Sequence, residues 1–266
     1  MERLMFFTGA GTSVESGIPT FRVDTKNTTA FWNAFDPLKV CDMLTFRTNR
    51  EESFSFHNAF RKAVEKAQPN SFHHFVKQWQ DECKARNIQL IVITQNVDDL
   101  FERAGVDDVL HVHGDIRYMQ CLGRNHRWFV GFENLEYDGK CLVCDCRVCK
   151  PGVVFFNEIA PMYEPVLKTL KSLSRRDVLV VMGTSCTVFP IEPILHNGSV
   201  KKIFSGLQLP ENVHEALWDH VILGQCTETI KHIKTIVEEH HKDLTDNPPP
   251  KPMERGKFRR GKKVVL

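Results

Sequence analysis

The chain has 266 residues, 42% hydrophobic and 26% charged, with a formal net charge of +2, enough for one large domain with a full core or for a domain carrying a smaller insert. Its longest apolar runs, Leu90–Ile93 and Val178–Met182, fall far short of the ~18 residues of a membrane span, and charged Glu2 and Arg3 ahead of Leu4–Phe7 do not make a signal peptide. No membrane association or secretion is expected; the expected location is intracellular, chiefly cytoplasmic, with a nuclear one left open by a basic C-terminal segment.

Taken in chain order, Leu4–Phe7 reads as a buried strand running into the glycine turn Thr8-Gly9-Ala10-Gly11, with a helix expected after it. Residues 50–67 place Phe54, Phe60, Ala63, Val64 and Ala67 at helical spacing, and Pro69 closes the segment. Ser71 is the expected cap of a second helix that carries Phe72, Phe75, Val76, Trp79 and Cys83 on one face. Ile88–Ile93 lacks polar alternation, as a strand does when helices cover both faces of its sheet. Further strands are expected at Val109–Val112, Val153–Phe156, Val178–Met182, Val200–Phe204 and Val221–Leu223, and helices at 163–173 and 226–241. Strands alternating with helices predict an α/β fold, a Rossmann-like parallel sheet with helices on both faces. Residues 117–156 break the rhythm, being rich in Cys, Gly, Arg and aromatics, and read as a small inserted module.

Residues 251–266 hold seven Lys or Arg against one acid, a balance of +6, which leaves the rest of the chain at −4. Following Asn247-Pro248-Pro249-Pro250, this segment lacks apolar periodicity and reads as a disordered basic tail. An acidic body with such a tail is not a fold built around nucleic acid, although the tail itself suits an acidic partner or a nucleic acid. The nine cysteines, four of them within 141–149, suit a metal site in a reducing compartment better than disulfides.

The turn Gly9-Ala10-Gly11-Thr12-Ser13 presents backbone N–H groups suited to pyrophosphate. Val14 stands where a dinucleotide fingerprint has its third glycine, no acidic residue follows a clear second strand, and no Gly-Lys-Ser/Thr ends the loop. A hydride-transfer dehydrogenase and a phosphate-loop nucleotidase are both disfavoured. Gln95, Asn96 and Asp98 follow the apolar strand 88–93, at the strand ends where open α/β sheets bind ligands. Their amides and carboxylate offer the donors and acceptors that sugar hydroxyls and a carboxamide require. His111 and His113 share a strand face, and position alone does not separate them as a base.

The stretch from Gly9 through Ser13, Ser16, Gly17, Ile18 and Pro19 to Phe21 and Arg22 resembles the opening signature of the sirtuins, NAD-dependent protein deacylases. Thr94-Gln95-Asn96-Val97-Asp98, Val112-His113-Gly114-Asp115 and Gly183-Thr184-Ser185 match the same family in the same order, and Lys150–Glu158 matches it in degraded form. The resemblance covers residues 4 to about 240. It implies that NAD is held by Gly9, Ala10, Gly11, Ser13, Ile18, Phe21, Arg22, Gln95, Asn96, Asp98, Gly183, Thr184 and Ser185, with Ser205 and Cys226 at the adenine end. It selects His113, directly before a glycine, as general base, with Asn96 and Asp98 organising nicotinamide and ribose. Acyl transfer from lysine to ADP-ribose would release nicotinamide and O-acyl-ADP-ribose, and Val153, Val154, Phe155, Phe156, Asn157 and Glu158 would face the acyl-lysine peptide.

The family also carries a structural zinc on two Cys pairs. Cys121 falls at the first ligand position, Arg124 occupies its partner slot, and Cys141 and Cys144 match the second pair. The expected set is Cys121, Cys141, Cys144 and either Cys146 or Cys149, with His126 as an outside candidate. The implied organisation is a catalytic domain over 1–245 and a tail over 246–266. Within the domain, the NAD-binding part takes roughly 1–30, 88–116 and 157–245, a helical insert roughly 31–87, and the zinc module roughly 117–156.

Three departures bear on substrate. Asn157 replaces a family glycine and is expected to narrow the peptide channel or to alter peptide preference, and the loop after Arg22, residues 23–32, is long and glycine-free. The helix reading Phe54–Arg61 lacks the Tyr-x-x-Arg of members that remove acidic acyl groups, so a short neutral acyl group, acetyl first, is expected. Two alternatives stay open: an NAD glycohydrolase or ADP-ribosyltransferase on the same fold, and a weakly catalytic NAD-binding scaffold.

Overall fold

The computed structural model describes residues 1–19, 35–189, 191–192 and 199–247. Phe21 and Arg22, the loop 23–32 and the basic tail from 248 onward lie outside the described residues.

Strand β1 (Arg3–Thr8) sits at the middle of a six-stranded parallel sheet with β2 (Gln89–Thr94), β3 (Leu110–His111), β7 (Asp177–Met182), β8 (Lys201–Gly206) and β9 (His220–Leu223), in the order β3-β2-β1-β7-β8-β9. Alternation along β1 feeds two cores. Leu4 and Phe6 face Trp79 and Val76 of α4 (Ser71–Ala85) and Ile230 and Ile233 of α7 (Cys226–Asp246). Met5 and Phe7 face Val166 and Leu170 of α6 (Tyr163–Lys171). Helices therefore cover both faces, and each fully buried large apolar side chain contributes about 1.5–3 kcal/mol.

Between β2 and β3 lies the short α5 (Leu100–Arg103), and the short α1 (Pro37–Val40) and α2 (Met43–Phe46) precede α3 (Arg50–Lys66). Phe54, Phe60 and Val64 of α3 pack with Ile116, Met119 and Phe155 in a third apolar cluster that joins this helix to the small module. That module is an antiparallel sheet, β5-β4-β6, of β4 (Gly114–Cys121), β5 (Arg127–Phe129) and β6 (Cys149–Val153).

Three expectations are corrected. The helix expected after the glycine turn is a pair of 3-10 turns, Ala10–Thr12 and Val14–Ser16. The cap of α4 is Asn70, not Ser71: its side chain accepts from Phe72 N and His73 N, while His73 Nδ1 accepts from Asn70 N at 3.2 Å in a reciprocal box. The strand expected at 153–156 ends at Val153; beyond it Phe156 bridges to Asp42, because its N–H is taken by the Cys41 carbonyl at 2.7 Å.

Candidate active site and metal centre

Strand order reverses between β1 and β7, so the loops leaving these two strands diverge and open a crevice at their carboxyl ends. Gly11 N donates to Gly183 O across it at 2.8 Å. A Cβ on Gly11 would stand 2.8 Å from Gly183 Cα, and Gly183 itself holds φ +65°, so the approach of the two loops requires glycine at both positions. The resulting groove encloses about 460 Å³ with its open mouth and is lined by Gly11, Val14, Glu15, Gly183, Ser205 and Cys226, among others.

The residues after β2 converge on this loop. Asn96 Nδ2 donates to Ser13 Oγ at 2.9 Å and to Thr12 Oγ1 at 3.2 Å, and Ser13 Oγ donates to Asp98 Oδ2 at 2.9 Å. Burial pushes the Asp98 carboxyl upward, against the Ser13 hydroxyl and the Leu100 N–H that favour its ionised form. Gln95 Nε2 donates to Thr184 Oγ1 at 2.9 Å, which reaches the loop after β7. Gly11 and Gly183 line the groove, and hydrogen bonds tie Gln95, Asn96, Asp98, Ser13 and Thr184 to the loops beside it.

His113 and His111 are separated by their partners. His111 Nδ1 donates to Asn96 O at 2.9 Å and Nε2 pairs with Glu102 Oε1 at 2.8 Å, and although burial works to lower its pKa the Glu102 carboxylate raises it. His113 Nδ1 lies 3.0 Å from the Gln95 carbonyl, which fixes the proton on Nδ1 and leaves Nε2 with its lone pair. Burial lowers the pKa of His113, opposed by that carbonyl, so the ring stays neutral around pH 7. His113 has an unprotonated Nε2 that meets no carboxylate among the described residues; His111 is paired with one.

Other expected residues divide. Ile18 is buried in the third apolar cluster with Phe155. The Ser205 hydroxyl is taken by Thr229 at 3.0 Å, and the Cys226 thiol donates to Glu15 Oε2 at 2.9 Å. Ser185 bonds Thr187 at 3.0 Å. Val153 and Phe155 are buried, Val154 is half-buried, and Phe156 and Asn157 are exposed. Asn157 adopts φ +60°, the left-handed region a glycine favours, and its side-chain amide donates to Asp42 Oδ2 at 2.6 Å. Glu158 Oε2 pairs with the buried Lys150 Nζ at 3.0 Å and accepts from Phe155 N at 2.9 Å, which fixes this turn.

In the small module Cys121, His126, Cys141 and Cys144 bring their ligand atoms within 4.8 Å of one another. Tetrahedral zinc with Zn–S near 2.3 Å requires sulfurs about 3.8 Å apart. Cys121 and Cys144 Sγ lie 3.7 Å apart, and Cys141 Sγ lies 3.4 Å from His126 Nδ1. The donor set fits zinc. Burial works against the Cys121 thiolate, yet the backbone N–H groups of Arg124 and Gly123 and the neighbouring thiols bring its pKa down to about 7. Among the described residues His126, and not Cys146 or Cys149, completes the group of four whose ligand atoms lie together, and the Cys149 thiol points to the Cys146 carbonyl at 3.4 Å. Arg124 keeps the knuckle backbone and His126 two residues later supplies the atom, since Cys121 N bonds the His126 carbonyl at 2.8 Å.

The sequence reading missed Tyr163, whose hydroxyl lies 3.2 Å from His113 Nε2, and Asn70, which donates to Thr12 O at 2.9 Å. No local pattern marks either; both act through folding contacts.

The described geometry is shared with known proteins. A sequence model of the Sir2 family matches residues 9–190. The chain belongs to the Sir2 family. It is 34% identical over 256 residues to an NAD-dependent protein deacylase of Helicobacter hepaticus, covering 90% of this chain and 98% of that protein. It is 35% identical over 188 residues to NAD-dependent protein deacylase 1 of Archaeoglobus fulgidus, covering 70% and 73%. Among solved structures, a Sir2 homologue in complex with NAD superposes with TM-score 0.74 at 28% identity, covering 89% of this chain and 90% of that one. A mutant Sir2 homologue bound to 2'-O-acetyl ADP ribose gives 0.74 at 27%, covering 90% and 93%.

Proposed function

We propose that this Sir2-family chain is an NAD-dependent protein lysine deacylase acting on short neutral acyl groups, acetyl first. The observation that carries this reading is the convergence of Ser13, Asn96, Asp98 and a tautomer-fixed His113 on one crevice at the sheet's switch point. The named deacylase relatives and the acetyl-ADP-ribose complex support it.

The crevice fits NAD through side chains: the N–H groups of Gly9, Gly11, Thr12, Ser13 and Gly183 are taken by protein carbonyls, while Asn96 and Asp98 bring an amide and a carboxylate suited to ribose and nicotinamide beside the glycine loop. When bound, NAD supplies the ribose carbon that accepts the acyl oxygen and the hydroxyls on which the acyl group leaves. His113 Nε2 would take the proton of a ribose hydroxyl, and Gln95 O would stabilise the positive charge then formed on the ring. Gln95 bridges to Thr184 and keeps the two halves of the crevice in register. Cys121, His126, Cys141 and Cys144 would hold zinc, which would order the small module. The substrate is an acyl-lysine peptide held beside the turn 153–158.

The neutral acyl preference is supported by α3. Arg61 Nε donates to Ile116 O at 3.1 Å and Nη1 to Asn58 Oδ1 at 2.7 Å, which holds this buried cation against the module while Nη2 has no partner among the described residues. Burial drops the pKa of His57 to about 3, which leaves it uncharged. His57 therefore offers no cation to an acidic acyl chain.

Purified chain is incubated with NAD, with and without acetyl-lysine peptide, and products are followed by mass spectrometry. Peptide-dependent nicotinamide and O-acetyl-ADP-ribose, both lost in His113→Ala, are expected. Nicotinamide and ADP-ribose formed equally without peptide would replace this reading with NAD hydrolysis, and no turnover with any short acyl peptide would sink it.

A further inference from the structure

Tyr163 is the first residue of α6, and its hydroxyl stands 3.2 Å from Nε2 of His113. Because Nδ1 of that ring gives its proton to Gln95 O, Nε2 is the acceptor and the phenol is the donor. The Tyr163 ring is not loosely placed: it packs edge-on against Phe189 at 5.0 Å, and Phe189 stands 5.1 Å from Phe7 of β1. Burial raises the phenol's pKa, so the donor proton is retained throughout the neutral range. The other ionisable groups on the surrounding elements turn elsewhere. Asp98 faces Ser13 and Leu100 N, His111 faces Asn96 O and Glu102, and Glu158 faces Lys150 and Phe155 N.

We propose that Tyr163 is a positioning residue for His113: its hydroxyl clamps the ring at Nε2, holds the imidazole neutral in the resting crevice, and yields that nitrogen to an incoming substrate hydroxyl. The inference rests on His113 being the base of the proposed reaction. Its physical content is simple. A hydrogen bond donated to Nε2 exists only when that nitrogen is unprotonated, so it opposes protonation of the ring. With Gln95 on one nitrogen and Tyr163 on the other, the ring plane is fixed from both ends before substrate arrives.

The test titrates His113 by NMR in the isotope-labelled full chain without substrate, with its resonance identified by its disappearance in His113→Asn. In Tyr163→Phe, which keeps the ring packing and removes one oxygen, the midpoint is expected to move to higher pH. The proton-binding constant should rise roughly two- to tenfold, the range for one net hydrogen bond. The acid limb of kcat/KM for deacylation moves the same way. A midpoint and acid limb that stay in place, or move to lower pH, would overturn the proposal, because a merely structural tyrosine changes stability and not the titration. The NMR arm needs no turnover. A chain that titrates as expected yet does not deacylate counts against the proposed reaction and leaves the Tyr163–His113 clamp standing.

Discussion

Ser13 donates its hydroxyl proton to the buried carboxylate of Asp98 across 2.9 Å, joining the glycine loop after β1 to the polar loop after β2. The same oxygen accepts from Asn96 Nδ2, so one hydroxyl orders both groups assigned to the nicotinamide end. Ser13→Ala leaves a carboxylate 5% exposed without this donor and is expected to cost about 1–3 kcal/mol of stability. It also moves Asp98 further in the direction burial already pushes it, so turnover fades at higher pH on the acid side than in the parent chain. Urea unfolding with a pH–rate profile checks both; an unchanged acid limb would count against a working role for the Asp98 carboxylate.

Metal content separates the ligands from the spare thiols. The purified chain is expected to carry one equivalent of zinc. Cys141→Ser and His126→Ala should lose it and loosen the β5-β4-β6 sheet, whereas Cys146→Ser should retain it. Elemental analysis after dialysis reads this directly. Zinc kept by His126→Ala and lost by Cys146→Ser would return the site to four cysteines.

Acid weakens the fold through two buried imidazoles. Burial takes His57 and His73 from the ordinary 6.5 to about 3, so between those values the unfolded chain binds protons that the folded chain refuses. Stability is then complete above pH 6.5 and declines as pH falls through the window, by about 1.4 kcal/mol per pH unit for each residue. His111, whose pKa is raised, works in the opposite sense and offsets part of the loss. Urea midpoints at pH 7.5, 6.5 and 5.5 should fall in that order, and His57→Gln should flatten the decline; an equal slope in the variant would show that His57 is not its source.

The Lys150–Glu158 pair is expected to hold the turn 153–158. Lys150 is fully buried and Glu158 about four-fifths buried, so Lys150→Met strands a carboxylate at a cost at the low end of about 3–5 kcal/mol. Adding Glu158→Gln should recover much of it, because the stranded charge is gone. Denaturant unfolding of both variants decides the matter, and a double variant no more stable than the single one would show that the pair is not energetically coupled.

Much of this molecule was legible in the residues alone. Apolar runs flanked by glycine and proline marked six of the parallel sheet's strands, since a strand covered on both faces has no room for polar alternation. Residue type at strand ends and the family resemblance selected Asn96, Asp98 and His113. What the tertiary structure decided depends on which distant atoms meet. His111 and His113 are equivalent in sequence, and only their tertiary partners distinguish a ring paired with the Glu102 carboxylate from one held by the Gln95 carbonyl and the Tyr163 hydroxyl. The sequence offered Cys121, Cys141 and Cys144 with Cys146 or Cys149, and His126 only as an outside candidate; the hairpin at Cys121–His126 brings that ring to the Cys141 sulfur. The positive φ of Asn157 and its bond to Asp42 are likewise tertiary facts. Tyr163 carried no local signal, for its contact with His113 spans fifty residues and exists only once α6 has packed on β1 through Phe7 and Phe189.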